Sequence, residues 1–108
     1  MIQFLVQGSS INPYRVSFIL NEGNLSAFCT CPAGKHGQLC KHRMSIFRGE
    51  SDNIVSNNKG DISVIRDWLS GSDIEMAIHE IAEAEHDFDN AKKRLAQAKR
   101  NLAKVMSL

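Results

Sequence analysis

Cysteine is scarce in this chain and confined to one place: three residues, all within a stretch of twelve. Proline occurs only at Pro13 and Pro32, and beyond Gly71 there is neither proline nor glycine, so nothing in the last third interrupts a helix. No run approaches the roughly 20 consecutive apolar residues of a membrane span, which excludes a spanning helix. Charge of one sign is not in excess either. The formal net charge is +1, so no polycation advertises nucleic-acid binding. Trp68 and Tyr14 are the single tryptophan and tyrosine, too few for a series of base-stacking aromatics. No leader peptide suggests an oxidising compartment, and a cytoplasmic protein with reduced thiols is expected. At 108 residues the chain is one small domain plus an appendage, near the lower size at which a core suffices alone.

What is present in that confined stretch is Cys29-Thr30-Cys31, eight further residues, then Cys40-Lys41-His42. Two thiols one residue apart, then a thiol and an imidazole one residue apart, make a Cys3His set, a standard shell of structural zinc. In an extended strand Cys29 and Cys31 point the same way and can grip one ion. Pro32, Gly34 and Gly37 are read as turn formers in a loop that reverses the chain. Cys40 and His42 then close the shell at the start of a short helix carrying Met44 and Phe47. A bound divalent ion with three thiolates brings the net charge to roughly zero.

Other chemistries fit less well. A Cys29–Cys31 disulfide would close a small strained ring, and pairing either with Cys40 leaves an odd thiol. A catalytic thiol would use His36 or His42 as its base, yet nucleophilic cysteines rarely occur as three within one loop. Catalytic zinc needs an open position, and four protein ligands close the site. His36, between Lys35 and Gly37, is expected to be solvated.

At these residues the chain resembles the SWIM zinc-finger family, defined by C-x-C, a variable spacer and C-x-H, here Cys29, Cys31, Cys40 and His42. Ser9-Ser10, Tyr14-Arg15-Val16, Pro32 and Lys41 also look like the family, and the resemblance covers roughly residues 2–48. It implies a small ββα-type zinc module that binds DNA or other proteins. Such modules occur in bacterial proteins, helicase-like ATPases, transposases and signalling proteins, and none of those large catalytic partner domains is in this sequence.

Along the chain, residues 2–7 read as a strand, and residues 14–21 alternate with one apolar face of Tyr14, Val16, Phe18 and Leu20. A turn at residues 21–24, with Gly23 free to take positive φ, leads to a returning strand over 25–31 that delivers the first two ligands. The expected organisation is a zinc-binding module over 1–48, a polar linker over 49–60, a short helix over 61–70 and a long helix over 72–106. Asp61 is a candidate cap for the short helix, whose apolar residues Ile62, Ile65, Trp68 and Leu69 share one face. Trp68 is expected to cover a seam. Ser72 and Glu75 form a capping-box pattern for the long helix. The fold class is therefore α+β: a small β-sheet or hairpin zinc module, ββα-like, then a short helix and a long C-terminal helix of about 50 Å.

That helix carries a heptad. Ile74, Ile81, Phe88, Leu95 and Leu102 recur every seven residues, and Ala77, Ala84, Ala91, Ala98 and Val105 follow three positions behind. Small alanines admit a partner backbone at the close end of the usual interaxial range. Between Asp73 and Asp89 there is no lysine or arginine, and between Lys92 and Lys104 no acid. Antiparallel pairing about Asn90 and Ala91 would set each acidic half on a basic half. The macrodipole favours the same segregation but acts mainly in terminal turns. A homodimer through residues 72–106 is expected, with packing on the chain's own short helices as the rival. His79 and His86 share a face with Glu83, where a second metal site is conceivable but a solvated polar face is the simpler reading.

The function expected is a non-catalytic zinc module that binds a macromolecule, DNA or protein. Arg15, Lys35, Lys41, Arg43 and Arg48 are the candidate contacts for that partner. The alternative is a protein–protein adaptor or inhibitor, of the kind a mobile element could encode, with zinc purely structural and the long helix engaging the partner. A thiol enzyme is a third possibility, and iodoacetamide tests it: rapid alkylation of the zinc-loaded protein supports it, protected thiols dismiss it.

Overall fold

The computed structural model describes residues 1–107. Three antiparallel strands, β1 (Ile2–Val6), β2 (Tyr14–Asn21) and β3 (Asn24–Cys29), form a sheet in the order β1-β2-β3. Two short helices follow, α1 (Pro32–Lys35) and α2 (Lys41–Phe47), then α3 (Ile62–Leu69) and α4 (Asp73–Met106). This is the α+β arrangement expected, a small zinc-module sheet followed by helices. By its contacts the chain divides into two units, Met1–Glu75 and Met76–Leu108.

In the first unit the strand pairing follows from the hydrophobic alternation. Phe4 pairs with Val16, and Ile2 with Phe18, so Phe4, Val16 and Phe18 fall on one face and are fully buried. Phe47 of α2 packs on Phe18 of that face, and Ile46 of α2 and Ile65 of α3 are also buried. Phe18 meets Phe4 edge-on at 6.0 Å between ring centroids and Phe47 at 5.3 Å, a favoured aromatic geometry. Leu20, expected on the buried face, is exposed, because it lies at the hairpin end beyond the reach of the helices. The β2–β3 connection has only Glu22 and Gly23 between paired Asn21 and Asn24, both with positive φ (51° and 82°). Those are the signs of a type I′ turn, whose twist matches that of the strands.

The polar stretch expected as a linker over 49–60 is fastened to the sheet. Gln7 N donates to Asn53 O at 2.8 Å, Val55 N to Leu5 O at 2.8 Å, and Asn58 Nδ2 to Gln3 O at 2.9 Å. Leu5 N donates to Ser56 Oγ, and Ile54 is buried against Val6. Serine and asparagine here act as partners for the open backbone groups of β1, a role composition does not reveal. Asp61 makes no side-chain cap bond; a 3-10 turn at Lys59–Asp61 starts α3 instead. Trp68 is half-buried.

Ser72 caps the start of α4, with Glu75 N donating to Ser72 Oγ at 3.2 Å, while Glu75 Oε1 accepts from Gly71 N at 3.1 Å, one residue before the amide a capping box would use. The helix runs unbroken for 34 residues with none buried. Phe88, Leu95, Leu102 and Val105 are exposed. Ala91, Leu95 and Ala98 line one shallow groove on its surface. Among the described residues no helix is long and apolar enough to cross a membrane.

Candidate metal centre

Cys29 is the last residue of β3 and pairs with Val16, so the sheet fixes its position. Thr30 continues the pairing by one step: its N donates to Arg15 O at 3.1 Å and its Oγ1 accepts from Arg15 N at 2.9 Å. The strand expected to reach residue 31 ends at Cys29, and Cys31 instead caps α1. The spacer read as a loop therefore begins with a helical turn. Pro32 is pre-set for the first helical position and Gly37, at φ 69°, follows the helix end. Cys40 caps α2, and His42 is the second residue of that helix.

Both capping cysteines use sulfur as the acceptor. Gly34 N donates to Cys31 Sγ at 3.3 Å, and Arg43 N to Cys40 Sγ at 3.4 Å. Helix N-termini favour negative charge, so the two sulfurs meet the end of the backbone that suits thiolates. All four side chains are buried, and one donor atom from each lies within 4.8 Å of the others. That is the scale of a single ion bound at about 2.0–2.3 Å by each donor. The nitrogen of His42 beside the sulfurs is Nδ1, 3.8 Å from Cys29 Sγ. Its Nε2 is buried and has no hydrogen-bond partner. The ring packs on Tyr14 at 5.0 Å, and a Cβ on Gly8 would come within 2.9 Å of Nε2.

The protonation behaviour follows from these surroundings. Burial, reinforced by the neighbouring cysteine sulfurs, pushes the Cys29 thiol up to about 12. Burial also works to raise Cys40, but hydrogen bonds and charge from Arg43 outweigh it, and its thiol is lowered. His42 is lowered by burial, with Lys41 adding to the effect, which keeps the imidazole neutral and able to ligate. Zinc uptake at pH 7 should therefore release the Cys29 proton. Adding zinc to chelator-stripped protein in weakly buffered indicator dye should acidify the solution; no colour change would show that Cys29 does not ligate.

Gly34 is needed for close approach rather than for an unusual φ. A Cβ there would lie 2.9 Å from Cys29 Cβ and closer still to the Cys29 carbonyl oxygen. Gly34→Ala should push α1 off β3 and separate Cys31 from Cys29, costing about 1–3 kcal/mol as overpacking does. A lower melting temperature and weaker zinc retention against a chelator are expected, although Gly34 donates no ligand. Wild-type values for both would refute this.

Of the candidate partner contacts, Arg15, Lys35, Lys41 and Arg48 are exposed, on β2, the end of α1, the start of α2 and the cap after α2. Arg43 is half-buried and turned onto the protein. Its Nε donates to Cys40 Sγ at 3.2 Å, Nη1 to Ala27 O at 3.1 Å, and Nη2 to Gln38 O. His36 is exposed and stands outside the cluster. On α4, His79 Nε2 contacts Glu83 Oε1 at 3.0 Å, while His86 is bonded to Asn90. The Cys-Pro pair at residues 31–32 was the available signal for α1; nothing in the residue pattern announced the Gly34 contact or the bonds of Arg43.

Four buried soft and borderline donors, joining the end of a sheet to the start of a helix, define a zinc-binding module. Residues 14–48 match the SWIM zinc finger family, and this segment is a SWIM zinc finger that binds Zn2+. The match spans roughly a third of the chain. No curated protein and no solved structure matches it.

Proposed function

We propose that the protein is a non-catalytic zinc module that recognises a macromolecular partner with the surface around its finger and joins a second copy through α4. The observation that carries this reading is the burial of all four donors. A fully ligated ion offers no position to a substrate, so its role is to hold the fold. Recognition then falls to exposed neighbours, with Lys35, Lys41, Arg15 and Arg48 supplying positive charge. Phosphate contacts through them would make DNA binding strongly salt-dependent. Titrating zinc-loaded protein into labelled duplex DNA over a salt series tests it: affinity that falls as salt rises supports nucleic acid as the partner.

One observation favours a protein partner instead. The cleft beside His42 has a volume of about 480 Å³, and its lining sets Glu50 and Asp52 with Lys41. Mixed charge of this kind suits a polypeptide better than a phosphate backbone, and Arg43 is already occupied. No DNA affinity even at low ionic strength would favour this adaptor or inhibitor role. Self-association is supported by the exposed heptad and the opposed charge halves of α4.

A further inference from the structure

The four donors come from two separate pieces of chain. Cys29 and Cys31 sit at the end of the sheet, Cys40 and His42 at the start of α2, with eight residues between the pairs. The bonds of Arg43 fall on both pieces. Ala27, whose carbonyl accepts from Nη1, is two residues before Cys29; Gln38, whose carbonyl accepts from Nη2, is two residues before Cys40. The same side chain reaches Cys40 Sγ with Nε at 3.2 Å, and its own backbone N lies 3.4 Å from that sulfur.

We propose that Arg43 is a positioning residue for the zinc ion, holding the Cys40 sulfur in place and fixing the distance between the two ligand pairs. The planar guanidinium presents donors in a rigid fork, so one side chain can serve a sulfur and two carbonyls together. Lysine offers a single ammonium and cannot span the three. Donors aimed at a thiolate also draw charge from it. Three thiolates around a divalent ion leave one net negative charge, and Arg43 is the cation bonded to one of those sulfurs. Nε, Nη1 and Nη2 each carry one of these bonds, so three of the five guanidinium N–H donors are committed to the protein.

The test uses the full chain as Arg43→Met and Arg43→Lys, with Arg48→Met, exposed at the end of α2, as control. Zinc affinity is read by chelator competition, and the thiolate environment by the sulfur-to-metal charge-transfer band of the Co2+-loaded protein. Arg43→Met should lower zinc affinity about 10–100-fold, as loss of a group bonded to a metal ligand does. Its cobalt band should move to lower energy, because the sulfur has lost its donor and is more easily oxidised by the metal. Arg43→Lys should restore the charge but neither the affinity nor the band, and Arg48→Met should match wild type. Unchanged affinity in Arg43→Met would overturn the proposal. So would a drop in affinity with the band unmoved, which would make Arg43 a brace of the fold alone. Should Arg43→Met fail to fold, the band of Arg43→Lys decides: at the wild-type energy, the assignment fails.

Discussion

Cys31→Ser should lose stoichiometric zinc and, with it, the folded state of residues 25–48. Serine is a fair substitute for the other task of Cys31, capping α1, since its hydroxyl can accept from Gly34 N as the sulfur does. It is a poor substitute as a ligand, being a neutral, weakly binding alcohol at pH 7. The variant therefore separates metal loss from cap loss. Structural zinc contributes on the order of 10–16 kcal/mol in small fingers, against a total stability of about 5–15 kcal/mol for a typical domain. Without it, only the sulfurs of Cys29 and Cys40 and one imidazole remain in the variant to join the end of β3 to α2. Elemental analysis should show the metal gone, and limited proteolysis should cut within 25–48, as it should in chelator-treated wild type. Zinc content and melting temperature equal to wild type would remove Cys31 from the ligand set.

If α4 pairs as proposed, Ala91→Leu should shift the pair toward monomers while leaving each chain folded. Ala91 is exposed, and leucine is nearly as good a helix former as alanine, so α4 has no reason to change. In an antiparallel pair crossing near Asn90, however, Ala91 lies where the two helices come closest. An extra side chain there costs about 1–3 kcal/mol by overpacking. A symmetric pair meets that cost twice, so the dissociation constant should rise roughly 30-fold or more. Ala84→Leu should act in the same direction. Sedimentation over a concentration series measures the effect; identical profiles for variant and wild type would exclude the alanine seam as the contact.

The parts of the fold that could be read from residues were those set by short-range periodicity. Val16 and Phe18 announced a one-sided strand, Asn21 to Asn24 its turn, and Ser72 with Glu75 the start of α4. The donor set was equally plain, because metal chemistry restricts residue types more tightly than packing does. What escaped was set by long-range contact. Residues 51–58 look like linker because serine and asparagine are common in loops, yet here they answer backbone groups of a strand some fifty positions earlier. Arg43 looks like a surface cation because its charge is visible in sequence, while the carbonyls of Ala27 and Gln38 that occupy it are not. Gly34 passes for a turn residue, since only the placement of α1 against β3 shows that the missing side chain is the point.

The strap at residues 53–58 and the bond from Arg43 to Ala27 have a shared outcome. A three-stranded sheet has two borders, each a row of open amide and carbonyl groups able to recruit another extended chain. Here the strap occupies the border along β1, and a guanidinium occupies a carbonyl of β3, a strand bordered by β2 on one side only. Such blunting disfavours cross-β growth, so strap removal or loss of Arg43 should raise the tendency of the chain to form fibrils.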